Sequence, residues 1–166
     1  TRPTTDRIKE SIFNIMAPDL YECRFLDIFS GSGAIAIEAL SRGAKEAVLI
    51  DNSDKAMAVI KENLTHTKLI DKAETLKADV FAALNVLGAK GRQFDIIFLD
   101  PPYASGLYSQ VLSAIVEHKL LDENGYIIAE QSSSDEPAEV SGLINYRIKD
   151  YKTSKMAFYA LEENDN

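Results

Sequence analysis

Apolar residues follow two different spacings along this chain, and the two spacings alternate. Short continuous apolar runs predict buried strands, whereas apolar positions that recur every three or four residues predict amphipathic helices. The runs predict strands at 24–29, 47–50, 73–78, 94–99, 126–129, 146–152 and 155–161. The helical spacing predicts a helix from Thr4 or Thr5 that ends before Pro18, then 34–42, one capped by Ser53, 80–87 and 108–118.

This alternation predicts the architecture. Strands separated by helices of about ten residues are typical of a doubly wound, mostly parallel α/β sheet of the Rossmann-like type. The last two strands are joined without a helix, through a predicted turn at 153–154, so we expect at least one antiparallel pairing there. Residues 132–142 are polar and contain Pro137, which predicts a loop.

Length and composition narrow the class of protein. The 166 residues predict one domain, residues 1–166, and the apolar fraction of 46% is ordinary for a soluble globular protein. Cys23 is the single cysteine, and the chain has neither a membrane-spanning apolar run nor a signal-peptide pattern, so we expect a cytoplasmic location. Because the chain begins TRPTTD without methionine, we expect that a short N-terminal segment is missing from it.

Charge is distributed unevenly. The net charge of −8 disfavours a polyanionic partner, and residues 122–139 carry six acidic residues and no basic one. Residues 146–159 instead carry Arg147, Lys149, Lys152 and Lys155 against Asp150 alone, interleaved with four aromatic residues. This C-terminal hairpin is therefore a candidate RNA-binding surface or, equally, a solvated strand face.

A glycine-rich turn follows the first predicted strand in FLDIFSGSGAIA, residues 25–36. Gly31, Ser32 and Gly33 would let a ligand approach the backbone and the N-terminus of the next helix. Asp51 ends the second strand, 18 residues after Gly33, where a carboxylate can accept both hydroxyls of a ribose. Dinucleotide-binding enzymes use nearly the same arrangement, so this pattern alone does not identify the ligand.

Asp27 distinguishes a ligand with a pyrophosphate from a cationic ligand. It interrupts the strand four residues before Gly31, where a carboxylate would repel a pyrophosphate but suit a cation such as S-adenosylmethionine. Asp79, after the third strand, could accept a hydrogen bond from an adenine amino group. Both aspartates could instead be helix caps only. The predicted cofactor contacts are Asp27, Phe29, Gly31, Ser32, Gly33, Asp51, Asn52, Asp79 and Val80.

The apolar strand 94–99 ends in DPPY, and two prolines cannot extend a sheet. Asp100 and the carbonyl of Pro101 could grip the two protons of a nucleobase amine, with Pro101 and Pro102 fixing their direction. Tyr103 could stack on the base, and Asp100 could take the proton as the new bond forms. These four residues are the predicted catalytic residues. A plain Asp-Pro-Pro turn would explain the prolines but not the whole set.

FLDIFSGSGAIA, Asp51 and DPPY, in this order, resemble the amino-directed S-adenosylmethionine-dependent methyltransferases. TRPTTDRIKESIFNI, leading into LDIFSGSGAIAIEALSRGA, more narrowly resembles the bacterial family that methylates a guanine N2 in 16S ribosomal RNA, and AVLIDN, DIIFLDPPY and IIAEQ continue the likeness. The resemblance implies a seven-stranded class I methyltransferase sheet, S-adenosyl-L-methionine as cofactor, a monomer, and 16S ribosomal RNA or the small ribosomal subunit as partner. Residues matching Thr4, Thr5, Asp6 and Arg7 help to shape the cofactor or substrate mouth in that family.

The chain departs from that family in two places. The short basic segment that precedes TRP in family members is absent, and YKTSKMAFY matches the family only loosely at Lys152, Thr153 and Lys155. Other functions therefore stay open, namely a DNA adenine or cytosine amino methyltransferase, a glutamine-amide methyltransferase, or a non-catalytic adenosyl-binding assembly factor. His66 and His118 have no acid or cysteine at ligand spacing, so no metal site is predicted.

Overall fold

The computed structural model describes residues 6–101 and 107–163. Within these residues there are five α-helices and seven strands, which alternate except at the last three strands. The helices are α1 (Asp6–Leu20), α2 (Ala34–Ser41), α3 (Asp54–His66), α4 (Val80–Ala89) and α5 (Leu107–Glu117). The strands are β1 (Arg24–Ile28), β2 (Glu46–Asp51), β3 (Ala73–Lys77), β4 (Phe94–Leu99), β5 (Leu121–Ser132), β6 (Leu143–Asp150) and β7 (Ser154–Leu161), and a short 3₁₀ helix, Ile70–Lys72, precedes β3.

The seven strands form one sheet in the order β3-β2-β1-β4-β5-β7-β6. Strands β1 to β5 pair in parallel, and β7 pairs antiparallel with both β5 and β6. The predicted doubly wound, mostly parallel sheet with an antiparallel C-terminal strand is confirmed. The order of strands reverses between β1 and β4, which is the position where ligands bind in open α/β sheets.

Apolar side chains cover both faces of the sheet. Helices α1, α2 and α3 pack on one face, called here the α1 face, against residues such as Phe25, Phe98 and Phe158. Helices α4 and α5 pack on the other face, against residues such as Ile28 and Leu99. Because both faces are buried, the parallel strands read as continuous apolar runs in the sequence.

Helix α1 corrects one prediction, because it continues through Pro18 to Leu20 instead of ending before the proline. Proline removes one backbone hydrogen bond and strains the preceding turn. The loss falls in the last turn of α1, where Met16 and Leu20 are buried in the core of the α1 face. Tertiary packing therefore outweighs the local preference.

The C-terminal strands need larger corrections. Strand β5 covers Leu121–Ser132 instead of residues 126–129, and β6 covers Leu143–Asp150 instead of 146–152. The turn is centred on Lys152 and Thr153, not 153–154, because the Tyr151 N–H donates to the Ser154 carbonyl at 2.8 Å and Lys152 has φ 76°. Pairing with neighbouring strands determines where β5 and β6 begin and end, and the apolar pattern of the sequence does not predict this pairing.

In the part of the chain that the structure describes, we find no helix that combines the length and apolar character needed to cross a membrane.

Candidate functional site

The predicted site residues gather at the carboxyl edge of strands β1 to β4. In the sheet register, Ile28 lies beside Ile50 of β2 and beside Leu99 of β4. The next positions along these three strands, Phe29, Asp51 and Asp100, therefore meet at one edge. The structure thus brings the glycine turn and the start of DPPY together at the reversal of strand order.

The turn after β1 is held by backbone hydrogen bonds and by left-handed residues. Phe29 and Gly31 have φ values of 62° and 63°, so β1 ends at Ile28, one residue earlier than predicted. The Ser30 N–H donates to the Ile50 carbonyl at 2.9 Å, and the Gly33 N–H donates to the Ser30 carbonyl at 3.0 Å. These bonds fix the turn against the end of β2.

Gly31 and Gly33 serve different purposes in this turn. A Cβ at Gly31 would meet no atom within 4 Å, so its backbone borders open space where a ligand could approach. A Cβ at Gly33, where φ is 81°, would lie 3.2 to 3.3 Å from side-chain carbons of Leu49, Ile37 and Ile60. Gly33 thus lets α2 pack closely on the sheet, while Gly31 exposes the backbone.

Asp51 connects the turn to α3 through both carboxylate oxygens. Its Oδ2 accepts from the Gly31 N–H at 2.9 Å, and its Oδ1 accepts from the Ser53 N–H at 3.0 Å. Each oxygen retains a further lone pair, which a ribose hydroxyl could use. Asn52 and Ser32 are exposed beside it, and the predicted ligand contacts of these residues stay predictions.

Asp27 is a buried carboxyl group, with 2% of its surface exposed. The Ser30 hydroxyl donates to its Oδ2 at 2.8 Å, and the Ala36 N–H in the first turn of α2 donates to the same carboxyl group. Burial raises the pKa of Asp27 to about 7, the two donors lower it, and the nearby Asp51 raises it. Asp27 therefore caps α2 from a neighbouring strand, and a cation nearby would favour its charged form.

Asp79 caps α4, which is the alternative that the sequence left open for it. Its Oδ2 accepts from the Phe81 N–H at 3.1 Å and from the Ala82 N–H at 3.3 Å. The Ala78 N–H donates to the Asp51 carbonyl at 3.2 Å, which places Asp79 beside β2 at the same edge. Val80, the first residue of α4, is buried. The predicted adenine contacts of Asp79 and Val80 stay predictions.

Only the first half of DPPY lies within the described residues. Asp100 follows β4 directly, is partly buried, and its N–H reaches toward the Ile28 carbonyl at 3.5 Å. Pro101 is buried. Pro102 and Tyr103, like Thr4 and Thr5, lie outside the described residues, so the predicted stacking by Tyr103 is an expectation here.

The structure adds Glu130, which the sequence did not single out, and gives a contact to Tyr108, for which the sequence left open packing over the DPPY loop or an ordinary helix-face contact. Glu130 of β5 follows Ala129, which lies beside Leu99, so Glu130 occupies the position next to Asp100 and is 7% exposed. The Tyr108 hydroxyl of α5 donates to the Glu130 carbonyl at 2.6 Å. A carboxylate at the end of the apolar run YIIAE is the signal that could have found Glu130.

The arrangement is an acidic edge with exposed backbone and a fixed turn. Asp27, Asp51, Asp79 and Asp100 converge on it from four parallel strands. Such an edge favours a ligand with positive charge, hydroxyl donors or an amine and disfavours phosphates. It provides hydrogen-bond acceptors that could position such a ligand, and the role of Asp100 as a proton acceptor stays a prediction.

Comparisons with known proteins agree with this geometry. A family model described as conserved hypothetical protein 95 matches residues 1–160. The chain is 39% identical to YlbH of Bacillus subtilis, which is named as an rRNA methyltransferase, over 96% of this chain and 87% of YlbH. It is 38% identical to ribosomal RNA small subunit methyltransferase D of Escherichia coli, over 78% of this chain and 60% of that protein.

Solved structures show the same fold. A conserved hypothetical protein from Streptococcus pyogenes has a TM-score of 0.83 at 35% identity, covering 93% of this chain and 95% of that one. The methyltransferase yhhF from Escherichia coli has a TM-score of 0.87 at 28% identity, covering 98% and 90%. The match over residues 1–160 therefore assigns the chain to the conserved hypothetical protein 95 family, and the methyltransferases that it resembles share its fold.

Proposed function

We propose that the protein transfers a methyl group from S-adenosyl-L-methionine to the exocyclic N2 amine of a guanine in 16S ribosomal RNA. The observation that carries the proposal is the meeting of Asp51, the Gly31 turn and Asp100 at one carboxyl edge. The names of the small-subunit ribosomal RNA methyltransferase relatives support the substrate class. The guanine N2 target is the finer part of the proposal and comes from the resemblance of TRPTTDR and DPPY.

The residues at the edge fit this cofactor. S-adenosylmethionine carries a sulfonium and an ammonium and supplies a methyl group on a good leaving group. Asp27 and Asp51 would favour these positive charges and the ribose hydroxyls, and neither has a lysine or arginine partner among the described residues. The open space beside Gly31 would admit the ligand against the backbone. Asp79 and Val80 would border the adenine.

The DPPY residues would position the amine. The amine of guanine is a weak nucleophile, because its lone pair is delocalised into the ring. Asp100 and the Pro101 carbonyl would accept its two protons and orient the nitrogen, while Tyr103 would hold the plane of the base. Asp100 would then take one proton as the nitrogen becomes positively charged. The prolines limit the movement of both acceptors.

A labelled transfer assay tests this proposal. The substrates are unmodified small-subunit particles, naked 16S RNA and DNA, each digested to nucleosides that are identified by mass. Labelled N2-methylguanosine is the expected product. Label in N6-methyladenine of DNA would replace the proposal with a DNA methyltransferase, and cofactor binding without any transfer would indicate a non-catalytic module.

The proposal also covers residues 1–166 as one domain and a monomer that acts in the cytoplasm, where ribosomal RNA is made. Sedimentation or light scattering at the protein concentration of the assay tests the monomer. A dimer that alone carries the activity would contradict that part of the proposal and leave the transfer reaction unaffected.

A further inference from the structure

The edge strand of the sheet, β6, has an irregular register, which changes the side chains that it exposes on each face. Asn145 lies opposite Tyr159 and Arg147 lies opposite Phe158, so Tyr146 is an extra residue between two paired positions. Consecutive side chains of a strand normally point to opposite faces of the sheet, and a bulge can bring two of them to the same face. The Asn145 side-chain amide donates to the carbonyls of Arg147 at 3.1 Å and Phe158 at 3.0 Å, which stabilises the bulge.

The bulge places an aromatic ring and a guanidinium side by side on the α1 face. The ring centroids of Tyr146 and Phe158 are 6.2 Å apart, and Arg147 Cζ lies 5.4 Å from the Phe158 ring centroid. Phe158 is buried, but Tyr146 is 51% exposed and Arg147 is also exposed. The two side chains therefore offer an aromatic ring and a positive charge to solvent beside Phe158, and we call this pair the stacking platform.

Basic residues continue from this platform toward the candidate active site. Lys149 lies opposite Met156, whose side chain packs in the core of the α1 face. Lys152 lies in the turn after β6, and because Ser154 pairs with Ser132 at the end of β5, this turn lies at the carboxyl edge of the sheet. We call Tyr146, Arg147, Lys149 and Lys152 the basic track.

Helix α1 fixes the end of the track that is nearest to the site. The Ser11 and Tyr151 hydroxyl oxygens are 2.8 Å apart, which joins α1 to the hairpin turn. Glu130 lies on β5, the strand next to β7, and Asp100 follows β4, the strand after that. Both residues lie at the same carboxyl edge. The part of the track on β6, from Tyr146 to Lys149, covers about 10 Å at roughly 3.3 Å per residue. Lys152 lies beyond the end of the strand, at the same carboxyl edge as Asp100.

The opposite face of the same strand has the opposite charge. Glu136, Glu139 and Glu162 line an open cleft of about 680 Å³ there, with Ile148 on its wall. A polyanion would be repelled by that face and by the acidic edge, whereas the basic track would attract it. An exposed tyrosine and a stacked arginine, moreover, suit unpaired bases better than they suit an acidic protein segment.

We propose that the basic track binds unpaired nucleotides of the RNA substrate next to the target guanine. Phosphates would lie on Lys149 and Lys152, and a base would stack on Tyr146 and Arg147. This inference rests on the proposed function, because it requires an RNA substrate. It gives an acidic protein a local surface for a polyanion that its net charge of −8 would otherwise repel.

The test compares two triple variants with equal loss of charge. The track variant is Arg147→Gln, Lys149→Gln and Lys152→Gln, and the control is Lys45→Gln, Lys61→Gln and Lys90→Gln, whose three lysines are exposed elsewhere. We expect the Kd for naked 16S RNA to rise about 10- to 100-fold in the track variant only. The slope of log binding constant against log salt concentration should become smaller by about 1.4, because the two phosphate contacts of Lys149 and Lys152 are lost at roughly 0.7 each for a single strand. Cofactor affinity should be unchanged.

A second variant tests the stacking platform separately. Tyr146→Ala should weaken RNA binding by roughly 5- to 100-fold with an unchanged salt dependence, and Tyr146→Phe should restore it. Far-ultraviolet circular dichroism checks that each variant is folded.

Three outcomes overturn the inference. The first is an equal weakening of RNA binding in the track and control variants. The second is unchanged RNA binding in the track variant, provided that the wild type methylates RNA. The third is loss of binding to the assembled particle with binding to naked RNA retained, which would indicate a protein partner. Absence of any RNA methylation by the wild type would instead contradict the proposed function.

Discussion

The two ends of the parallel sheet both carry carboxylates, but the carboxylates have different partners. At the amino end, Arg24 Nη2 donates to Asp95 at 2.8 Å and to Asp122 at 3.2 Å, and Arg92 donates to Glu74 at 3.0 Å. At the carboxyl end, Asp27, Asp51 and Asp79 accept hydrogen bonds from backbone amides, and Asp27 also accepts one from a serine hydroxyl. No ion pair involves these three within residues 6–101 and 107–163.

The difference separates structural carboxylates from candidate functional ones. The Arg24 hydrogen bonds hold the pKa of Asp95 below its usual value, whereas burial raises the pKa of Asp27 to about 7. The carboxylates at the amino end are paired with arginines, so they would bind a cationic ligand only weakly. Carboxylates at the carboxyl end are oriented by neutral donors and keep their capacity to favour a cation.

The largest expected effect is on transfer by an Asp100→Asn variant. The amide cannot accept a proton as the amine reacts, so kcat should fall about 10²- to 10⁴-fold, while cofactor affinity changes little. Single-turnover methyl transfer and calorimetric titration with the cofactor measure the two quantities. A variant that retained the parent rate would exclude Asp100 as the proton acceptor.

The next effect concerns stability and the raised pKa of Asp27. In the folded protein this carboxyl group keeps its proton up to about pH 7, whereas in the unfolded chain it ionises near 3.8. Its contribution to the free energy of unfolding is therefore complete below pH 3.8 and is lost as the pH rises to 7. The loss amounts to about 4 kcal/mol, at roughly 1.4 kcal/mol per pKa unit.

Asp27→Asn should remove this dependence, because an amide does not titrate. Denaturant unfolding from pH 4 to 8 gives the free energy of unfolding of both proteins. The wild type should lose stability relative to the variant across this range, and a constant difference between them would contradict the raised pKa.

A smaller effect is expected for cofactor binding by Asp51→Ala. Loss of charged hydrogen bonds to the ribose should raise the Kd for S-adenosylmethionine about 10- to 100-fold and leave kcat at saturating cofactor nearly unchanged. Asp54→Ala is a matched control, since the side chain of Asp54 is 88% exposed and pairs only with Lys77 in the described chain. Equal effects of the two substitutions would mean that Asp51 acts through local charge alone.

The smallest effect is expected at the amino end of the sheet. Asp95→Asn breaks the pair with Arg24, but both side chains are about one third exposed, so the free energy of unfolding should fall by only about 1 kcal/mol. Transfer and cofactor affinity should equal those of the wild type. A large loss of transfer here would mean that the two ends of the sheet are coupled, against the separation described above.

Much of the parallel half could be read from the sequence. Strand β4 has the predicted bounds, and the glycine turn and Asp51 lie where the pattern placed them. These features are local, since a buried strand is a continuous apolar run and glycine favours the left-handed conformation that Gly31 and Gly33 adopt in the turn. The N-cap by Ser53 was also predicted, and its Oγ accepts from the Ala56 N–H at 3.2 Å.

The C-terminal half depends on partners that are distant in sequence. Strand β5 is long because it pairs with Phe94 at one end and with Ser154 at the other. The residues of β5 itself do not indicate either pairing. The bulge at Tyr146 is equally non-local, because it exists only in the register with β7.

The residue types of the site, its glycine turn and its proline-bounded aspartate thus follow from the order of residues along the chain. The partners of each carboxylate follow from the folded sheet, which brings Asp27 under α2 and Glu130 beside Asp100. Spacing along a chain specifies local backbone geometry and the alternation of faces. Burial and hydrogen bonding, which set the charge state of a carboxyl group, depend on which strands become neighbours.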